Sequence, residues 1–191
     1  SESGAEVFEV KYFDRKAYLA QSPQFYKQMA MAAGFEKVFE VGPVFRAEPS
    51  FTSRHATEFV GYDTELSYIH SHADVMAEEE KTIRYVIQKV KDRYGDEIAK
   101  TYGREVVVPA VPFPKISMKE TKEILAGMGV PGEKIDDISP EEERKISEYV
   151  AEKYGHEFVF ITEYPIDVRP FYHMRDEKNQ LLTKSFDLLW N

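Results

Sequence analysis

Residues 44–59 read VFRAEPSFTSRHATEF. Two short apolar-rich runs flank a polar loop, which is the pattern of a β-hairpin. Extended outward, residues 37–48 read as one strand and residues 56–69 as a second, with period-two alternation. On the second strand Phe59, Gly61, Asp63, Glu65 and Ser67 share one face, while Val60, Tyr62, Leu66 and Tyr68 share the other. A face carrying two carboxylates beside an aromatic ring reads as a site rather than a core. The hairpin also gathers Arg46, Arg54 and His55 in a chain whose net charge is −9.

On the N-terminal side, residues 6–20 read as two short strands around a turn at Phe13, Asp14, Arg15 and Lys16. Ser22 and Pro23 then start a helix, Ser as the N-cap and Pro at the first helical position, and Gly34 closes it. On the C-terminal side, Ser71 and Asp74 cap a helix over residues 71–94 with an apolar stripe of Met76, Ile83, Val86, Ile87 and Val90. VVVPAVPFPKI holds three prolines and reads as an extended crossing. Ser117 with Glu120, and Ser139 with Glu142, form capping boxes for two shorter helices. The first ends near Gly127 or Gly129, and the second runs to Tyr154 with Gly155 as its stop. The charges at 141–144 read as a solvated helix face. EFVFITEYP reads as a strand, and FYHMRDEKNQLLTKSFDLLW as a hairpin turning at residues 176–180. The sum is an α+β fold, a mainly antiparallel sheet flanked by helices, with residues 111–154 as an insertion packed against the sheet.

The chain has 191 residues, 42% apolar and 14% aromatic, enough for one domain with a substantial core. No run of 18 apolar residues suggests a membrane span. The polar, acidic start, SESGAEVFEV, reads as neither a signal peptide nor the beginning of a whole domain. The absence of cysteine excludes disulfides and thiolate metal sites and fits a cytoplasmic protein. With 34 acidic and 25 basic side chains, a general binder of nucleic-acid backbone is disfavoured, but a local basic pocket for a small polyphosphate is not.

The sequence has no GxxxxGK[ST], GxGxxG or HExxH motif. A nucleotide site would therefore rest on side-chain cations. Arg46 can fork onto a phosphate or carboxylate. Arg54 and His55 can meet the far end of a polyphosphate, and Phe59 offers a flat face to a base. The plainer alternative is a surface hairpin with scattered ion pairs. A second cluster, QSPQFYK, puts Gln24 and Lys27 three apart on one helix face, where an amide and an ammonium can read a carboxylate. A capped surface helix is the alternative there.

Taken in order, these segments resemble the class II aminoacyl-tRNA synthetases, in particular the aspartyl-tRNA synthetases of archaeal and eukaryotic type. VGPVFRAEPSFTSRHATEF resembles their motif 2, placed at about residues 41–69. SESGAEVFEVKYF is similar to their SEGGA-type loop, AYLAQSPQFYKQM to their amino-acid recognition helix, and VPFPKIS, YP…RPFYHM and KSFDLLWN to the segment between motifs 2 and 3. The resemblance spans residues 1–191 and implies an incomplete class II catalytic-domain fold.

It also implies roles. Aspartate and ATP would form aspartyl-adenylate, with transfer to the 3′ end of tRNA. Arg46 would bridge the α-phosphate and the attacking carboxylate. Glu48 would contact the adenine side, Arg54 and His55 the distal phosphates, and Phe59 the adenine face. Ala47 and Ala56 would complete the ATP site. Glu2 would face the α-ammonium of aspartate. Ser22, Gln24, Phe25, Tyr26 and Lys27 would receive the amino acid, with Lys27 on its side-chain carboxylate. Lys27 argues for aspartate, since asparagine-specific relatives are similar around QSPQ but lack it. Ser3 replaces a glycine of the SEGGA-type loop, and Phe51 stands where relatives are more polar. Magnesium would accompany ATP, its ligands expected beyond Asn191, so no metal ligand is assigned. Asp187 reads as a structural hydrogen-bond acceptor, with a place near the metal as the alternative. Motifs 1 and 3 and the anticodon-binding domain are expected to be absent, and the intact protein to be a homodimer. An aspartate–ammonia ligase related to these synthetases, and a non-catalytic synthetase-like module, are the alternative functions.

Overall fold

A computed structural model describes residues 6–47, 56–132 and 136–191. Its contacts divide the chain into two units, Ser1–Ile69 and His70–Asn191. The elements form helices with largely antiparallel sheets, as the α+β reading expects.

In the first unit, β1 (Glu9–Tyr12) and β2 (Arg15–Tyr18) pair antiparallel. The turn is confined to Phe13 and Asp14, because Arg15 and Lys16 already pair with Tyr12 and Lys11. Phe13 takes a positive φ of 54°, the conformation that lets a two-residue turn follow the strand twist. Helix α1 (Gln24–Ala32) begins one residue later than the sequence suggests. Pro23 occupies the cap position, but the capping is done by Ser22, whose Oγ accepts the Gln24 N–H at 3.1 Å. Gly34, at φ 98°, follows the helix end. β3 (Lys37–Phe45) and β4 (Glu58–Leu66) form the long hairpin, paired without interruption from Lys37↔Leu66 to Phe45↔Glu58. Helix α1 packs on both of its strands. One hairpin face carries Phe39, Val41, Val60 and Tyr62, each more than half exposed.

In the second unit, α2 (His72–Tyr102) has the expected capping box of Ser71 and Asp74. It runs past Tyr94, the end that the sequence suggests, and through Gly95, and ends at Gly103 in the left-handed conformation. One interior glycine costs only about 1 kcal/mol, which a helix this long absorbs. Val86 is exposed rather than part of the stripe. Glu80 is buried instead, and its carboxylate accepts the Phe113 N–H at 3.1 Å, holding the proline-rich crossing onto the helix.

After that crossing come β5 (Lys115–Ser117), α3 (Met118–Gly127), α4 (Pro140–Tyr154), β6 (Phe158–Thr162), a 3-10 turn at Ile166–Val168 and β7 (Phe186–Trp190). The sheet order is β5-β6-β7, parallel then antiparallel. The central strand β6 is apolar on both faces and buried on both. Val159 and Ile161 pack into one cluster with Leu125, Ile146 and Val150 from α3 and α4. Phe158 and Phe160 pack into the other with Phe113 and Met76 from α2.

Both shorter helices start at the expected capping boxes. The solvated-face reading of 141–144 fails at Glu142, which is 1% exposed. Its carboxylate accepts the Ser139 N–H at 2.8 Å and binds Lys122 of α3 at 2.6 Å. Burial alone would raise its pKa. The hydrogen bonds from Lys122 and the Ser139 backbone outweigh that and hold it below the ordinary carboxylate value.

The C-terminal hairpin is also rearranged. Its turn forms, with Asp176 accepting the N–H groups of Lys178 and Asn179, but pairing is limited to bridges such as Arg175↔Thr183. The strand after it, β7, pairs with β6 instead. Among the described residues no helix is long and apolar enough to cross a membrane.

Candidate functional site

The candidate site is built on one face of the β3–β4 hairpin. Strict alternation puts Val38, Glu40, Gly42 and Val44 of β3 opposite Glu65, Asp63, Gly61 and Phe59 of β4. At one end of this face α1 delivers Lys27. Its side chain is 6% exposed, and its Nζ lies 2.9 Å from an Asp63 oxygen and 3.7 Å from a Glu65 oxygen. A buried ammonium is tolerated because these two carboxylates neutralise it, while each keeps about a third of its surface in water. The trio carries a net charge of −1.

At the other end, Arg46 leaves β3 with its N–H bonded to the Thr57 carbonyl at 3.0 Å. Its guanidinium carbon sits 5.4 Å from the centre of the Phe59 ring, a cation–π contact. Ala47 pairs with Glu6 across an antiparallel bridge. The Ala20 carbonyl accepts the Phe45 N–H at 2.8 Å, and Gln21, buried, donates to the Glu6 carbonyl at 2.9 Å. These bonds seat the stretch leading into α1 against the end of β3, and so fix the start of the helix that carries Lys27.

The structure thus brings Lys27 to Asp63 and Glu65, and Arg46 to Phe59. Gln24 is half-buried in the first turn of α1, on the side of Lys27, and Ser22 caps that turn. Phe25 and Tyr26 are 70% and 72% exposed and point to solvent. Ala56 lies exposed before β4. Glu2, Ser3, Glu48, Phe51, Arg54 and His55 lie outside the described residues. Asp63 and Glu65 were visible in the sequence as a paired acidic face, but their partner was not, since Lys27 lies 36 residues from Asp63. Asp187, in the second unit, accepts from Arg169 Nη2 at 2.8 Å. The Arg169 guanidinium lies 3.6 Å from the Tyr164 ring centre. Burial and the neighbouring Asp187 carboxylate push the Tyr164 phenol well above its ordinary value.

A cation held by two carboxylates at one end of a sheet face, and an arginine over an aromatic ring at the other, suits a zwitterion beside a nucleotide. The family model described as tRNA synthetases class II (D, K and N) matches residues 1–191. The chain belongs to this family. Among curated relatives of these synthetases, the Aspartate--tRNA(Asp/Asn) ligase of Aeropyrum pernix is 47% identical over 100% of the chain and 43% of its own length. The cytoplasmic Aspartate--tRNA ligase of Homo sapiens is 42% identical over 98% of the chain and 38% of its own. Among solved synthetase structures, the asparaginyl-tRNA synthetase of Pyrococcus horikoshii complexed with asparaginyl-adenylate matches with a TM-score of 0.85. It is 35% identical and covers 99% of the chain and 42% of its own. The aspartyl-tRNA synthetase of Entamoeba histolytica matches with a TM-score of 0.82 at 39% identity, over 91% of the chain and 36% of its own. The chain therefore spans less than half the length of these synthetases.

Proposed function

We propose that this chain is the central part of the catalytic domain of an aspartate–tRNA ligase. It would join aspartate and ATP into aspartyl-adenylate and pyrophosphate, then pass the aspartyl group to the 3′ end of tRNA. The observation that carries the choice of amino acid is the buried ammonium of Lys27. The family serves aspartate, lysine and asparagine. Of these side chains, only a carboxylate forms an ion pair with that ammonium; an amide oxygen can accept a hydrogen bond from it but brings no opposite charge, and a second ammonium is repelled.

Asp63 already occupies Lys27. Aspartate would enter by exchange, its side-chain carboxylate taking Lys27 while the released acids face its α-ammonium. At this end the incoming carboxylate and ammonium cancel, so little new charge is buried uncompensated. At the far end Arg46 would hold the α-carboxylate and the α-phosphate together. The carboxylate oxygen attacks phosphorus, and the bond to the pyrophosphate leaving group breaks. The carboxylate is already ionised at neutral pH, so no general base is required. Arg46 would act through positioning and charge stabilisation. Phe59 would offer its ring to the base, with Ala47 and Ala56 alongside. Glu48, Arg54 and His55 remain assigned to ATP, and Glu2 to the α-ammonium, on motif match. Magnesium would accompany ATP. Among the described residues no three metal-ligating side chains converge.

The test is aspartate-dependent exchange of pyrophosphate into ATP by the full-length protein, with asparagine and lysine as controls. Exchange with aspartate alone is the expected result. Exchange with asparagine or lysine in its place would overturn the assignment of Lys27, and exchange with none would overturn the activity.

A further inference from the structure

Halfway along the site face, Gly42 of β3 and Gly61 of β4 stand directly opposite each other. Glycine in the interior of a strand weakens it and contributes nothing to packing. Its usual justifications are a positive φ, a bulge, or close approach of another group. Neither glycine is among those with positive φ, and the ladder runs through both without a bulge. Close approach remains.

The space around the two differs. A Cβ on Gly61 would lie 3.2 Å from Asp63 Oδ2 and 3.2 Å from Val44 Cγ2, so packing inside the protein already disfavours a side chain there. A Cβ on Gly42 would meet only Glu40 Oε1, at 3.8 Å, an ordinary contact. Nothing in the described protein requires position 42 to be bare. The pair is flanked by Glu40 and Asp63 on one side and by Val44 and Phe59 on the other. Asp63 and Phe59 stand four residues apart, roughly 13 Å along the strand, and the bare patch lies midway between the Lys27 end and the Arg46 end.

We infer that the Gly42–Gly61 pair is a positioning element for the amino acid: a floor of bare backbone on which the middle of aspartate lies, its side chain toward Lys27 and its α-carboxylate toward Arg46. This rests on the proposed activity and adds two residues that touch the substrate without a polar group. It accounts for the glycine at 42, which no contact among the described residues explains. A methyl group placed there would lift the amino acid off the strand and lengthen its reach to both ends at once.

Gly42→Ala and Gly61→Ala in the full-length protein test it, by pyrophosphate exchange and thermal unfolding. One methyl group in a fitted site discriminates by roughly 10- to 200-fold. Gly42→Ala should raise the aspartate KM at least about tenfold, with the ATP KM within about twofold and the unfolding temperature unchanged. Gly61→Ala should raise it further, because the new methyl also crowds the Asp63 carboxylate that would face the α-ammonium of aspartate. If wild type exchanges and the aspartate KM of Gly42→Ala is unchanged, the floor does not exist. A lowered unfolding temperature without a KM change assigns the glycines to packing and has the same meaning. If Gly61→Ala fails to fold, the Gly42→Ala arm decides alone. If wild type exchanges with no amino acid, the proposed activity falls and the floor with it.

Discussion

Replacing Lys27 with Met removes the ammonium and keeps most of the volume of the stem. At 2.9 and 3.7 Å, and an effective dielectric of about 20, its gross attraction to Asp63 and Glu65 is about 6 and about 4.5 kcal/mol. Most of this is offset by the desolvation of an ammonium that is only 6% exposed. The two acids are 33% and 28% exposed, so water can take them up when the lysine is gone. The expected loss of stability is therefore about 1 kcal/mol, far short of the 3–5 typical of breaking a fully buried pair. In a protein of this size that lowers Tm by about 3 °C. The effect on binding is larger. A charge-assisted hydrogen bond contributes about 1.5–3 kcal/mol, or roughly 10- to 150-fold in affinity. Two unscreened carboxylates facing the incoming one push the result toward the upper end. Pyrophosphate exchange at varied aspartate and saturating ATP should show the aspartate KM rising about 100-fold while the ATP KM stays in place. An aspartate KM within twofold of wild type, in a protein that still unfolds cooperatively, would refute the role given to Lys27.

Arg46→Ala should lower the exchange rate by about two to three orders of magnitude, the usual cost of losing one preorganised charge donor; near-normal turnover would remove Arg46 from the chemistry. Glu80→Ala takes the acceptor from the buried Phe113 N–H and should destabilise by about 1–3 kcal/mol in urea unfolding, with an unchanged m value; a stability equal to wild type would mean the amide finds water. Lys122→Met leaves the Glu142 carboxylate buried without its cation and should cost about 2–3 kcal/mol, read as a drop in Tm. The folded-state pKa of Glu142 is depressed, so its contribution is complete above the unfolded carboxylate pKa near 4.3 and is lost as pH falls through the lower folded value. Glu142→Gln should therefore flatten the fall of Tm below about pH 4, and an acid limb as steep as wild type would contradict it.

What the sequence disclosed was local. The period-two pattern of residues 58–66 placed Asp63 and Glu65 on one face, and the three serine-led capping boxes marked three helix starts. What it concealed were partners distant in the chain. The charges around Glu142 look like any solvated helix face, because its cation comes from another helix, 20 residues away. The turn at 176–180 suggests that the strand after it pairs with its neighbour in sequence, whereas the doubly apolar β6 is the better partner for it. Glu80 occupies a core position as a hydrogen-bond acceptor for a backbone N–H, a role no apolar stripe predicts. Lys27 and Gln24 were legible as a pair by helical spacing, but the acids that make Lys27 a site required the register of the hairpin and the packing of α1 upon it. Residue identity alone could single out Arg46 and Phe59 but not their cation–π contact, which follows from where the chain leaves β3 and enters β4.

Helix α2 has 31 residues, a rod of about 46 Å, and it is anchored unevenly. Met76 and Glu80 are buried, Ile83 and Ile87 pack beside them, and no residue from there to Tyr102 is fully buried. One continuous hydrogen-bond ladder thus spans two regimes of motion. Amides between Met76 and Ile87 can exchange with solvent deuterium only when the core beside them opens. Those nearer Tyr102 need only fray from the free end, turn by turn. A deuterium-exchange map would show protection stepping down just past Ile87, within a single helix.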